Sequence, residues 1–327
     1  MKKFTLLFLI FTLSILPNKS KTFPEKQNEA KKLSFISHWL PQAQFAGYYA
    51  AYENGFYKKY GIELEMLVGG PSHPSTEALK NGKADFASLW LANAIQLRAA
   101  GVRIVNIAQI INKSALIFVA KKTSGIKEPK DFDKRKVGLW GGDFNLQPMA
   151  FFEKYKVDVK VIPQASSINL FLRNGVDVTS AMWYNEYHSI INSGYDPEDL
   201  VTFFFADYGL NFPEEGLYVT EEFYNKNQKI IESFVKASIE GWLWAFKNKK
   251  EAVDLVSKYM KKHKVPCNIA HQMWMLSRFE DLILGKNKKI EVTLNEKDFN
   301  FVGEQLKAAG LIKNAPKYSD FYKPVIK

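Results

Sequence analysis

Two ten-residue stretches of this chain share one grammar. Asn81–Trp90 reads NGKADFASLW and Asn174–Trp183 reads NGVDVTSAMW. Each is a helix end, an Asn-Gly turn, an aspartate, a short apolar run and a tryptophan. Glycine stops a helix because it accepts the left-handed backbone of a C-terminal cap. A short, mostly apolar run bounded by turn residues is a buried strand. A solenoid takes about three stacked units, so two copies predict two similar α/β lobes.

The surrounding pattern agrees. Leu33–Ser37, Ile62–Val68 and Ala84–Ser88 are strand-like, with helices over Gln44–Asn54, from Pro74 to about Gly82, and over Leu91–Ala100. Arg103–Ile111 and Ser114–Ala120 follow as strands. The second unit repeats the alternation, with strands at Lys136–Trp140, Val157–Ile162, Val178–Trp183 and Val201–Ala206. Strands alternating with helices of about ten residues build parallel sheets. From Glu215 the chain turns helical. Ile231, Val235, Ile239, Trp242 and Phe246 form one stripe of a helix over Asn227–Asn248, expected to pack the C-terminal third onto the first lobe.

Lys2 and Lys3, an apolar run from Phe4 to Leu16 and the polar Pro17–Ser20 read as a signal peptide over residues 1–22. The run is shorter than the ~20 residues a membrane helix needs. Cys267 is the single cysteine. No internal disulfide is therefore possible, and no cysteine follows the apolar run to carry a lipid. An exported, soluble, periplasmic protein is expected. The net charge of +11 is spread along the chain. Without a basic cluster or a known module it reads as a solvated surface rather than a nucleic-acid site.

Enzyme signatures such as HExxH, GxSxG, GxxxxGK[ST] and GxGxxG are missing. No histidine sits at metal-ligand spacing, and His38 and His73 read as solvated loop residues. Aromatic content is high, at 14%. What remains is a set of residues at strand C-terminal ends, the rim where open α/β sheets bind ligands. They are Trp39, Gly69-Gly70-Pro71, Trp90, Trp140-Gly141-Gly142-Asp143 and Trp183-Tyr184-Asn185-Glu186. Two facing lobes would wall one cleft with four tryptophans and a tyrosine. Each stacked aromatic pair adds on the order of 0.5–1.5 kcal/mol beyond burial. Glycine turns admit close backbone approach. Glu186 and Asp143 would accept from ring amino groups, and Asn185, Gln42 and Gln44 would meet ring nitrogens. No cofactor is expected.

The run from Trp39 to Leu64, W-x-P followed by A-G-Y-Y, G-F-Y and G-I-E-L, resembles the opening of the thiamin-pyrimidine-precursor binding proteins. So do the Gly69-Gly70-Pro71 turn, Asn81–Phe86 and W-Y-N-E-Y at Trp183–Tyr187. That family is allied to alkanesulfonate and nitrate solute-binding proteins and to fungal thiamin pyrimidine synthases. The likeness runs from Leu33 to Met260. It implies a type II periplasmic-binding-protein fold, with lobe 1 over 31–121 plus 214–327 and lobe 2 over 122–213. Hinges fall near Ala120–Ser124 and Asp207–Gly216. It further implies a monomer that delivers a small heteroaromatic ligand to an ABC permease. By the same likeness Trp39, Tyr184 and Glu186 hold a pyrimidine of the formylaminopyrimidine or hydroxymethylpyrimidine type, or a riboflavin-like ring in some relatives. The synthases carry a lysine and a consumed histidine where this chain has Leu89 and Asn93. Leucine forms no Schiff base and asparagine has no imidazole to donate, so a non-enzyme is expected.

Overall fold

The computed structural model describes residues 31–284 and 288–326. The expected signal peptide lies outside them. Among these residues ten strands form two five-stranded sheets. The first sheet contains β1 (Lys31–Ile36), β2 (Ile62–Leu67), β3 (Phe86–Trp90) and β4 (Ile104–Gln109). The second contains β5 (Leu116–Lys121), β6 (Lys136–Leu139), β7 (Lys160–Pro163), β8 (Val178–Met182) and β9 (Leu200–Phe204). β10 (Glu215–Thr220) returns to the first.

The orders are β2-β1-β3-β10-β4 and β7-β6-β8-β5-β9. They are the same arrangement. In each, the first three strands pair in parallel and the fourth place is held by an antiparallel strand. The two repeated segments supply the equivalent strands β3 and β8. The fourth strand has a different source in each: β5 opens the second lobe ahead of its parallel strands, whereas β10 returns from beyond the second lobe to close the first sheet.

This moves one expected boundary. β5 pairs with β8 and β9, so residues 116–121 belong to lobe 2 rather than lobe 1. The first crossing is the segment 110–115, ahead of the expected Ala120–Ser124. The return crossing covers 205–214. An apolar strand such as SALIFVA carries no mark of which sheet it will join.

Helices cover both sheets. Those that matter for the site are α1 (Ala46–Glu53), α2 (Leu91–Ala99), α3 (Leu146–Tyr155), α4 (Glu186–Asn192), α5 (Gln228–Lys247), α6 (Lys249–Lys262) and α7 (Ile269–Leu284). Along α5, Ile231, Val235, Trp242 and Phe246 are buried as the stripe predicts, while Ile239 is half-buried. α5 packs against α1 at glycine-to-glycine range. A Cβ on Gly241 would overlap the Gly47 carbonyl oxygen, and one on Gly47 would strike the Trp242 indole. Phe86 and Phe234 stack at 3.8 Å beneath the first sheet. Among the described residues no helix is long and apolar enough to cross a membrane.

Candidate functional site

The strand ends of the two sheets face each other across a cavity of about 290 Å³. From the first sheet come His38, Trp39, Gln42, Gln44 and Trp90. From the second come Trp140, Gly141, Phe144 and Met182, with Tyr184, Asn185 and Glu186 from the turn that opens α4. Gln164, Ala165 and Ser166, just past β7, complete the wall. No described lining residue is lysine or arginine. Anionic ligands therefore have no cationic partner here, and bringing one in would leave its charge uncompensated.

Three of the four expected tryptophans meet in the cavity. Trp39 is 42% exposed, an indole held open at the rim. Trp140 is fixed by its Nε1–H donating to the Ala165 carbonyl at 3.1 Å. Trp90 meets the Phe144 edge at 5.4 Å. Trp183 does not join them. Strand side chains alternate, so Met182 and Tyr184 face the cavity and Trp183 turns to the opposite side. There its ring lies under the Arg278 guanidinium at 4.8 Å.

Gly69, Gly70 and Pro71 do not line this cavity. Gly69 is required by packing: a Cβ there would overlap the Ser37 carbonyl oxygen. Gly70 has φ +126° and lies against the Leu40 side chain. Pro71 is exposed. Residue 143 has no described side chain, so the expected role of Asp143 falls outside the described atoms.

The polar half of the site is layered. On the lobe 2 side, Glu186 Oε2 accepts from the Met182 backbone N–H at 3.0 Å and Oε1 from Asn185 Nδ2 at 2.8 Å. Burial pushes its carboxyl up to about 7, against these hydrogen bonds that favour the charged form. At neutral pH the group is therefore split between acid and carboxylate and can either donate to or accept from a ring edge. Asn185 Oδ1 in turn meets His271 Nε2 at 2.8 Å. His271 belongs to α7, which is anchored in lobe 1 by Gln272 Oε1 accepting from the Ala43 N–H at 2.7 Å. His271 Nδ1 meets His188 Nδ1 on α4 at 2.9 Å, and Trp274 stacks on the His188 ring at 4.8 Å. A polar chain thus runs from the Glu186 carboxyl across to lobe 1.

On the lobe 1 side, His38 is buried, contrary to the solvated reading, its side chain only 6% exposed. Its Nδ1 is 3.0 Å from Ser88 Oγ and its Nε2 is 3.1 Å from Gln44 Nε2. The amide can only donate through that nitrogen, which assigns Nδ1–H as donor to the serine. Gln44 Oε1 accepts in turn from Gln42 Nε2. Burial holds the imidazole down to about 3, so it is neutral. Behind it, Glu215 Oε2 lies 3.5 Å from Nδ1 without a hydrogen-bond partner, while Oε1 accepts from the Tyr48 hydroxyl at 2.5 Å. Burial pushes the Glu215 carboxyl up to about 8. The His38–Glu215 contact is therefore between two neutral groups and not an ion pair. Glu214, beside it, is likewise pushed up by burial, although its Oε1 accepts from the Ala115 N–H in the first crossing.

Sequence reasoning set His38 aside as solvated and did not place Phe144, Gln164, Met182 or His271 in the site. Phe144 follows the Gly-rich turn at the end of β6, and that position was its only signal. Gln164 is a floor residue, Oε1 accepting from Thr179 Oγ1 at 2.6 Å and Nε2 donating to the Ser180 carbonyl at 2.9 Å. Leu89 is buried inside β3 away from the cavity. Among the described residues no group of three or more His, Cys, Asp or Glu side chains is placed to hold a metal.

The fold is that of known solute-binding proteins. The periplasmic aliphatic sulphonate binding protein SsuA of Escherichia coli superposes with a TM-score of 0.69 at 16% identity, covering 90% of this chain and 92% of that one. At that identity the likeness establishes the type II periplasmic-binding-protein architecture and no more. In sequence, the chain is 20% identical to a formylaminopyrimidine-binding protein of Halalkalibacterium halodurans over 78% of this chain and 79% of that protein. It is 22% identical to the riboflavin-binding protein RibY of Chloroflexus aurantiacus over 71% of this chain and 67% of the relative. The family model described as NMT1/THI5 like matches residues 42–252, well over half of the chain. With its doubled α/β sheets and the aromatic cleft between them, this protein belongs to the NMT1/THI5-like family.

Proposed function

We propose that this protein is the solute-binding component of an ABC importer and captures an amino-bearing heteroaromatic ring of the thiamin-pyrimidine-precursor type. One observation carries the reading. The cavity between the sheets is walled by Trp39, Trp90, Trp140 and Tyr184, ends on the neutral-to-anionic Glu186, and presents no cation. A flat ring gains stacking area on the indoles, and its exocyclic amine donates to the Glu186 carboxyl. A ring nitrogen finds the Asn185, Gln42 or Gln44 amide. The sulphonate chemistry of the fold relative has no counterpart among these residues. The names of the two sequence relatives, one for a formylaminopyrimidine and one for riboflavin, support a heteroaromatic ligand.

On this reading the protein acts as a periplasmic monomer, holds no cofactor and hands its ligand unchanged to a membrane permease. Leu89 and Asn93 support the absence of synthase chemistry, because neither side chain can form an imine with an aldehyde cofactor or supply an imidazole. The test is a tryptophan-fluorescence titration with 4-amino-5-hydroxymethyl-2-methylpyrimidine, formylaminopyrimidine and taurine, with mass analysis of the recovered ligand. Saturable quenching by the pyrimidines, weakened by Trp39→Ala, is expected. Binding of taurine alone, or recovery of an altered pyrimidine, refutes the proposal.

A further inference from the structure

A second cavity of about 220 Å³ adjoins the first, and Trp90, Gly141, Phe144 and Met182 are walls of both. Those four residues form the partition between them, and Phe144 is its central ring. Phe144 stands edge-on to Trp90 at 5.4 Å and to Trp140 at 5.6 Å. Gly141, which lines both chambers, adds no side chain to the partition, and a Cβ there would meet nothing within 4 Å. The far chamber reaches from Ala92 and Asn93 on α2 to Phe212 and Pro213 in the return crossing, with Leu116 and Gln147 between.

The side chains of the far chamber are apolar apart from two amides, and none is charged. The Gln147 amide is already engaged, with Oε1 accepting from Ser114 Oγ at 3.1 Å and Nε2 donating to the Leu210 carbonyl at 2.8 Å. Such a surface penalises phosphate, carboxylate and other hydrated anions and welcomes a ring or alkyl group. Size points the same way. Small-molecule sites run from about 300 to 1,000 Å³; the first chamber alone only approaches that range, and the two chambers joined fall well inside it.

We infer that the far chamber is a second subsite, and that the ligand is a two-part molecule. One amino-bearing ring lies against Glu186, and an uncharged or delocalised aromatic second ring passes Phe144 into the chamber bounded by Ala92, Phe212 and Pro213. This rests on the proposed binding role of the first chamber and extends its ligand from the amino-bearing ring alone to that ring carrying a second. Phe144 then discriminates by shape: its edge admits a flat, thin linker or a fused ring system and blocks a branched one.

The experiment compares 4-amino-5-hydroxymethyl-2-methylpyrimidine, a one-ring probe, with thiamin and riboflavin, a linked and a fused two-ring probe. Each is titrated into the wild-type protein and into Ala92→Phe, which fills the far chamber from α2 without touching Glu186 or Trp39. At least one two-ring probe is expected to bind tenfold or more tightly than the one-ring probe. Ala92→Phe is expected to remove that advantage and keep one-ring affinity within about twofold. Ala92→Leu, a smaller filling, should fall between and covers the case in which the phenylalanine variant does not fold. One-ring binding that equals two-ring binding in the wild type overturns the second subsite and leaves the proposed function standing. So does a two-ring advantage that survives both variants. Failure of all three probes to bind overturns both.

Discussion

Glu186→Gln isolates the cost of keeping a carboxyl in the cleft. The Glu186 carboxyl sits near 7 in the folded protein against an ordinary 4.5. The folded state therefore binds its proton more tightly than the unfolded state, and stability falls as pH rises through that window. The sign is the reverse of the usual salt-bridged carboxylate. Integrating between about pH 5.5 and about pH 8 gives roughly 2 kcal/mol of lost stability from this one residue, at ~1.4 kcal/mol per unit. Glutamine cannot ionise, so the variant lacks that slope. It also has one oxygen where two are needed, for the Met182 N–H and for Asn185 Nδ2. The unmatched donor costs about 1–3 kcal/mol, but equally at both pH values, and cancels in the difference. Glu214 and Glu215 are pushed up by burial too, and their slopes are common to both proteins. Urea unfolding of the ligand-free proteins at the two pH values is the assay. The wild type is expected to lose about 2 kcal/mol more than the variant on going from acid to alkaline. Equal losses refute the claim that burial, rather than hydrogen bonding, controls this carboxyl.

Two further outcomes follow from the geometry. His271→Phe keeps a ring between α7 and α4 but removes the hydrogen-bonding nitrogen 2.8 Å from Asn185 Oδ1. The affinity for an aminopyrimidine should fall by about 1 kcal/mol, the net worth of one hydrogen bond, although His271 is not in the cavity wall; unchanged affinity in fluorescence titration removes it from the site's support. Gly241→Ala places a Cβ on the Gly47 carbonyl oxygen and should cost about 1–3 kcal/mol or more by urea unfolding, whereas Leu243→Ala, at an exposed position on the same helix, should stay within ~0.5 kcal/mol.

Much of this architecture is written locally. The repeated Asn-Gly-…-Trp segments announce β3 and β8, and the helical stripe from Ile231 to Phe246 announces α5, because each depends on residues close in sequence. That Trp39, Trp90, Trp140 and Tyr184 reach one cavity was legible for the same reason, because strand ends and turns are local. The failures have non-local causes. Trp183 stands between two cavity residues and faces the other way, a consequence of strand alternation continued one residue past β8. Gly69 has the look of a ligand-approach glycine, but its neighbour is the Ser37 carbonyl, 32 residues away by number. The His38 side chain is buried because Ser88 and Glu215, from two distant segments, close around it together with the nearby Gln44. The Asn185–His271 contact spans 86 positions and leaves no pattern in the turn or in the helix that make it.

The places of the two fourth strands in the chain also set an order of events. Lobe 2 draws its whole sheet from one unbroken stretch, Leu116–Phe204, so its pairing needs nothing made later. Lobe 1 cannot finish its sheet until β10 arrives, and β10 must bridge β3 and β4 across more than a hundred intervening residues. Distant pairing is slow, because loop closure is completed before any contact rewards it. A chain emerging from its N-terminus should therefore hold β1–β4 as an unclosed, unsealed sheet while the second lobe is already compact. The last structure to form is the junction of Glu214 and Glu215 with the first crossing and with Tyr48, the layer behind His38. Refolding monitored at Trp90 should lag behind refolding monitored in lobe 2, and the ability to bind should appear with the slower of the two.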